Sequence, residues 1–340
     1  MRGANIRKVA ELAGVSTATV SRALTQPDRV AEATRARVLE AVRSTGFVPN
    51  RQAVNFRRQT TGNVVLLVRD ISNPFYLDIY GGVEEHAFAN GYRVLMGDAG
   101  DDDARVRRYV EMVRNRQADG LILMTGWLPK GLADGPLPPM VVALEQLQEA
   151  NLPTIAIDNR KAARLAVEHL IGLGHQRIAH LTGPMRLVMS HERQAGYLEA
   201  LAAAGIERRP ELIFNGNFHY SSGRDAVAAF GAAGVGFTAI FAANDEMAIG
   251  AVNELRARGQ RVPDDVSVVG FDDLVYAESS DPPLTTIRQP RRAIGSESMR
   301  MMISLLQGSP SPADRVEAAV ELIVRASTAR AATTRRRTHG

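Results

Sequence analysis

Residues 6–24 read IRKVAELAGVSTATVSRAL. Ile6, Val9, Ala10 and Ala13 recur at i, i+3, i+4 and i+7, the period of one buried helical face. Gly14 interrupts the run and can turn with positive φ at no steric cost. Ser16 stands where a cap opens a second helix. On that helix Val20, Ala23 and Leu24 share one side, and Thr17, Ala18, Ser21 and Arg22 the other. The outer face is small, polar and ends in an arginine. The spacing predicts a helix-turn-helix whose second helix can enter a major groove. An ordinary helical hairpin with a solvated face is the other reading of the same pattern.

Charge separates the two readings. Residues 1–60 hold 11 Lys/Arg against 4 Asp/Glu, and residues 330–340 hold 4 Arg and no acid, whereas the remainder holds 26 basic against 33 acidic side chains. A basic head on an acidic body is the electrostatic footprint of a DNA-binding module attached to something else. The chain has no cysteine, which excludes a disulfide framework, a thiolate nucleophile and a cysteine metal site. No apolar run approaches the ~18 residues of a membrane helix. The chain starts in a charged helix rather than an apolar leader core, so the expected location is the cytoplasm, with no membrane partner.

After Leu24 a turn at 25–28 leads to a third helix over 32–45, with Val38, Leu39 and Val42 facing inward and Gly46 ending it. Residues 51–61, RQAVNFRRQTT, are short, basic and polar. They read as a linker, or as a segment that becomes helical when something orders it. From Asn63 onward, apolar runs of strand length alternate with helical patterns. The expected strands are 64–68, 94–97, 121–124, 141–144 and 154–157, then 178–181, 212–214, 239–242 and 266–270. Such runs with crossover helices imply parallel sheets covered on both faces. Two series imply two doubly wound lobes, with ligands at the carboxyl ends of the strands. The chain closes with 284–289, a helix over 292–306 and a strand at 320–324. The Ala/Thr/Arg-rich end, 326–340, has no apolar period and is expected to be disordered.

Catalytic chemistry is hard to find. Residues 234–239, GVGFTA, match a GxGxxA pattern. They follow a helix and open a strand, the reverse of a dinucleotide site. No phosphate-binding loop, GxSxG or HExxH spacing occurs. His169, His175 and His180 fall on a helix, a turn and a strand, and cannot share one face. Asp101, Asp102 and Asp103 suit a helix start as well as a cation. The sequence points to a binding protein with no cofactor and no metal.

Several stretches then act together: VAELAGVSTATVSRAL, ATRARVLEAVRSTGFVPN, DISNPFY, IDN, GHQRIAHLTGP, ERQAGYLEAL, NDEMAIGA, VSVVGFDD and DPPLTTIRQP. In this order and at these spacings the chain resembles the lactose-repressor (LacI/GalR) family from about Ile6 to Thr328. Within the family it is similar to the branch that answers to nucleosides such as cytidine. The resemblance implies a small all-α helix-turn-helix domain (1–48) and a hinge helix (49–61). It also implies an α/β core like the periplasmic binding proteins (62–328). That core would have one lobe over about 62–158 and 291–324 and another over about 160–289 plus the C-terminal end, with crossovers near Asn159, Pro290 and Arg325. Residues 329–340 remain as a basic tail. With no leucine in that tail, a homodimer is expected rather than a heptad-linked tetramer.

The resemblance also assigns roles. Thr17, Ala18 and Arg22 match base readers, while Ser16, Thr19 and Ser21 match phosphate contacts. Ala53 and Phe56 fall on the hinge helix, where the family usually has leucine at the place of Phe56 and wedges it into the minor groove. Ala31 departs from a serine cap. In the core, Phe75, Tyr76 and Phe218 would offer aromatic faces to a base or sugar ring. Arg193 would donate to hydroxyls and Asp272 accept from them, with Asp158, Asn244 and Gln289 at matching positions. Glu145 would read a base amino group. Each has a plainer reading: Asp158 and Asp272 as helix caps, Phe75 and Phe218 as core. The implied function is a repressor that binds a palindromic operator and is released by a small effector. A hexose, pentose or purine-base effector is the alternative within the class, and a ligand-binding module or α/β enzyme the alternative outside it.

Overall fold

The computed structural model describes residues 5–47, 60–147, 150–309 and 315–331. The chain divides into two compact units between Thr61 and Gly62. The first holds α1 (Ile6–Ala13), α2 (Thr17–Thr25) and α3 (Glu32–Thr45). The Asn5 side chain caps α1, and Gly14, at φ 62°, ends it by donating to the Ala10 and Glu11 carbonyls. Val9, Ala10, Ala13, Val20, Ala23, Val38 and Ala41 form the core. These are small side chains, which let three short helices approach closely. Leu39 does not join them: it is 41% exposed. Val38, Ala41 and Val42 define the inner stripe of α3 at i, i+3 and i+4, and Leu39 lies about 100° off it. No side chain caps α3 at Ala31.

The second unit opens with β1 (Asn63–Val68), α4 (Phe75–Ala89), β2 (Arg93–Asp98), α5 (Asp103–Arg114), β3 (Gly120–Met124), β4 (Met140–Leu144) and β5 (Thr154–Ala156). These strands pair in parallel in the order β5-β4-β3-β1-β2. Val64 to Val68 are all buried, because helices cover both faces of the sheet. This explains a continuous apolar run where an open sheet would alternate.

The second lobe follows: α6 (Asn159–Gly172), β6 (Ile178–Thr182), α7 (Val188–Ala203), β7 (Ile213–Asn215), α8 (Tyr220–Ala232), β8 (Ala239–Ala242), α9 (Asp245–Ala257), β9 (Ser267–Val269) and α10 (Val275–Ser279). Its sheet is parallel, β7-β6-β8-β9. The chain then runs through β10 (Thr286–Arg288), α11 (Arg291–Leu306), β11 (Arg315–Glu317) and β12 (Glu321–Ile323). Helix α11 returns to the first lobe and packs on α4. The contact is so close that a methyl on Gly82 would overlap the Arg292 carbonyl, and one on Gly295 the Ile79 carbonyl. β10 and β12 pair antiparallel where the chain passes between lobes.

Two features depart from the sequence reading. β11 adds a sixth strand beside β5; with Val316 as its one apolar residue it has no legible period. Residues 326–331 are ordered, not free. The Ser327 hydroxyl accepts from the Thr285 amide at 2.8 Å and donates to the Val268 carbonyl at 2.6 Å. The Ala329 amide donates to Ser267 at 3.0 Å, and that of Ala331 to the Leu173 carbonyl at 2.9 Å. Hydrogen bonds hold this segment, which is why apolar patterning does not reveal it. The hinge residues Ala53 and Phe56 and the tail 332–340 lie outside the described residues.

Candidate functional site

The second helix of the head, α2, turns its apolar side inward and its small polar side outward. Ser16 is its N-cap, its hydroxyl accepting from the Thr19 amide at 3.1 Å. The Thr19 hydroxyl lies 2.9 Å from that of Ser16. Val20 and Ala23 turn into the core. Ser16, Thr17, Ala18 and Arg22 are exposed, and Thr19 and Ser21 are half-buried. Among the described residues nothing pairs with Arg22, so its fork of donors is free for an external acceptor.

The second unit has a cavity between its lobes. It is lined by Arg69, Asn73, Phe75, Tyr76 and Leu144 from the first lobe and by Met189, Arg193, Phe218, Asn244 and Asp272 from the second, with Gln289 at the crossover. Seven sequence-predicted residues therefore converge: Phe75, Tyr76, Arg193, Phe218, Asn244, Asp272 and Gln289. All but Arg193, which reaches in from the second turn of α7, sit at carboxyl ends of strands or in the loops and first helical turns after them, where parallel sheets open a crevice. The Asn73 side chain accepts from the Phe75 amide at 2.9 Å, which fixes the start of α4. The Phe75 and Tyr76 rings meet edge to face, 5.3 Å apart.

The polar groups are held tightly. Arg193 is 3% exposed. It donates to Asn159 Oδ1 at 2.9 Å and to the Ala243 carbonyl at 2.5 Å. Its guanidinium also lies 3.6 Å from the centre of the Phe271 ring. Asp272 accepts from Gln289 Nε2 at 2.7 Å. Burial pushes the Asp272 carboxyl up to about 6, against the pull of Arg193 and Arg291. The Asn244 amide donates to the Phe218 carbonyl at 2.8 Å and accepts from the Met247 amide at 3.1 Å, so it caps α9 while lining the cavity. Leu144, Phe218 and Asp272 have φ of 80°, 71° and 115°. Left-handed backbone at such residues is strained and tends to cluster at binding sites.

Asp158 does not join the others. Its carboxylate accepts from the Lys161 amide at 2.8 Å and caps α6. It lines a separate cavity with Glu145, Asn159 and Glu192. A strand-end position is shared by both kinds of aspartate; only the turn of the chain decides which way the carboxylate faces. Glu145 lies behind the main cavity rather than in its lining. Its Oε2 accepts from the Met189 amide at 3.2 Å, and burial pushes its carboxyl up to about 7. Arg69, Asn73, Leu144 and Met189 escaped the sequence reading. Arg69 and Asn73 follow β1, and the rule that ligands meet strand ends could have found them.

The remaining candidates are structural. Asp102 caps α5 through the Ala104 amide at 2.7 Å. His169 and His175 bond to residues of the ordered end, Thr328 and Ala329. His180 stacks between Tyr197 and Phe241, and burial pushes its imidazole down to about 4. Among the described residues no cluster of His, Cys, Asp or Glu fits a metal ion. Nor, among the described residues, is any helix long and apolar enough to cross a membrane.

Known proteins share this arrangement. Residues 5–50 match the model for bacterial regulatory proteins of the lacI family, and residues 167–328 match a periplasmic binding protein-like domain. The transcriptional repressor CytR of Escherichia coli is 38% identical over 328 residues, covering 96% of each chain. The ribose operon repressor of Halalkalibacterium halodurans is 33% identical, covering 95% of this chain and 96% of its own. The crystal structure of the lac repressor dimer bound to operator and an anti-inducer superposes with a TM-score of 0.84 at 27% identity, covering 96% of this chain and all of that one. With its helix-turn-helix head, its periplasmic-binding-like core and relatives of this identity along nearly its whole length, the chain belongs to the lacI family of bacterial transcriptional regulators.

Proposed function

We propose that this protein is a dimeric repressor of a roughly palindromic operator, and that a nucleoside such as cytidine, bound between the two lobes, releases it. In this reading it is a regulator rather than an enzyme and works in the cytoplasm, at the nucleoid when bound to DNA. The observation that carries the reading is the cavity: three aromatic side chains, two buried arginines and a buried aspartate come from both lobes onto one space. Rings offer stacking to a base, while Arg193 and Asp272 offer donors and acceptors to ribose hydroxyls. The likeness to CytR along 96% of the chain supports the nucleoside.

Thr17, Ala18 and Arg22 read bases in the major groove, and Ser16, Thr19 and Ser21 hold phosphates. Ala53 and Phe56 meet the minor groove at the operator centre, Phe56 as an apolar wedge. The mechanism is linkage: a ligand shifts DNA affinity only by preferring one arrangement of the lobes over another.

The likeness to a ribose operon repressor favours a pentose as the second reading. A thermal-shift screen of nucleosides, sugars and free bases decides between them. A ligand at 100 times its dissociation constant adds about 2.7 kcal/mol to stability. Cytidine is expected to raise the melting temperature of the core. A response to ribose with none to any nucleoside would overturn the nucleoside assignment.

A further inference from the structure

The mouth of the cleft carries groups that the ligand cavity does not use. Trp127, the single tryptophan of the chain, follows β3 in the first lobe. It packs against apolar side chains of both lobes. Its indole nitrogen donates to Asp103 at 2.8 Å, so the ring is fixed to its own lobe. The Arg186 guanidinium, from the other lobe, stacks over that ring at 4.8 Å and pairs with Asp101. Asp101 is shared: Arg69 reaches the same carboxylate at 3.3 Å. Arg69 is 7% exposed and lines the cavity, where its guanidinium lies 5.4 Å from the Phe218 ring of the second lobe.

We propose that Asp101 is the positioning residue of a clasp that holds the lobes together and ties closure to the effector site. On one side it receives Arg186, which the opposite lobe brings to Trp127 as the cleft shuts. On the other it orients Arg69, whose single side-chain hydrogen bond among the described residues goes to Asp101. The remaining donors of Arg69 are left for a ligand. Parting the lobes breaks the Arg186 pair and the stack on Trp127 together, and leaves Arg69 alone on the carboxylate. Arg186 meets an aromatic ring at one contact and a carboxylate at the other, a combination that suits a guanidinium better than an ammonium. The Arg186–Asp101 pair is exposed, so it is a modest contribution screened by salt. That suits a contact that opens and closes.

The proposal rests on the cleft being the effector site but not on the effector's identity. Acrylamide quenching of Trp127 fluorescence reads the stack directly in the full chain. Asp101→Asn suits the test because Asp101 has φ 58°, a conformation asparagine tolerates. Asp101→Asn and Arg186→Met are each expected to raise quenching, corresponding to roughly a twofold to fivefold gain in the open form. The double variant is expected to go no further than either single one. Arg186→Lys, which keeps the charge and loses the stack, is expected to fall between. Cytidine is expected to protect Trp127 in the wild type and to bind more weakly to Asp101→Asn by the same factor. Unchanged quenching in the single variants, or additive effects in the double variant, would overturn the clasp. If cytidine and every other nucleoside fail to bind the wild type while the quenching pattern holds, the nucleoside reading falls and the clasp stands.

Discussion

Arg193 and Asp272 face each other at 4.0 Å inside the cleft, both buried, without a hydrogen bond between them. Each is bonded elsewhere: Arg193 to Asn159 and Ala243, Asp272 to Gln289. A closed ion pair would have spent both groups on each other. This spacing leaves opposite charges at a distance that ligand hydroxyls can bridge.

Asp272→Asn is therefore a sharp probe. The amide still accepts from Gln289, but the charge opposite Arg193 is gone. A hydrogen bond to a charged group contributes roughly 1.5–3 kcal/mol. Effector affinity is expected to fall about tenfold or more by calorimetry, while operator binding without effector stays at the wild-type level. Loss of operator binding in the variant would place Asp272 in the fold rather than in the ligand response.

Arg22→Ala addresses the head. Arg22 is exposed on α2 and unpaired among the described residues. Removing a bidentate base contact costs about 1–3 kcal/mol of discrimination. On an operator obtained by in vitro selection, anisotropy titrations are expected to show relaxed preference at one position of each half-site. A uniform loss across all sequences would instead mark Arg22 as a phosphate contact.

Glu145 makes stability depend on pH. Its folded-state carboxyl titrates at about 7 against an ordinary 4.5, because burial disfavours the charge. Between those values the folded protein keeps a proton that the unfolded chain has released, so stability falls as pH rises from about 4.5 to about 7 and then levels. Glu145→Gln cannot ionise and escapes that loss. At pH 8 the variant is expected to be more stable on the order of 3 kcal/mol. The gap should close toward pH 4.5 in denaturant titrations, and a gap that widens in acid would reverse the assignment.

Ala31 leaves α3 uncapped in an extended conformation, φ −53° and ψ 139°. Ser at this position can accept from the amides of the first turn. Ala31→Ser is expected to stabilise the head by about 1 kcal/mol, read as a higher melting temperature for that unit with the core transition unmoved.

Much of the molecule is legible along the chain. The head follows from short-range periodicity, because Val9, Ala13 and Val20 need only their own helices to find the core. The parallel sheets follow from apolar runs buried on both faces. Arg315–Glu317 and residues 326–331 do not follow, because backbone and hydroxyl hydrogen bonds place them and leave no apolar period. The site divides in the same way. Strand-end position marks Asp158 and Asp272 alike, yet one caps its own helix and the other enters the cleft. Arg69 reads as the first polar residue after a strand; its partners, the Asp101 carboxylate and the Phe218 ring, come from segments distant in sequence.

By itself, then, the sequence determined the kind of protein this is. The helix-turn-helix, the charge split and the strand–helix alternation depend on residues a few positions apart. Tertiary structure decided which side chains share the cavity and which close its mouth. Those contacts join segments far apart in the chain, and the forces that select them — burial of Arg69 and Arg193, the shared carboxylate of Asp101 — act only once those segments have packed together.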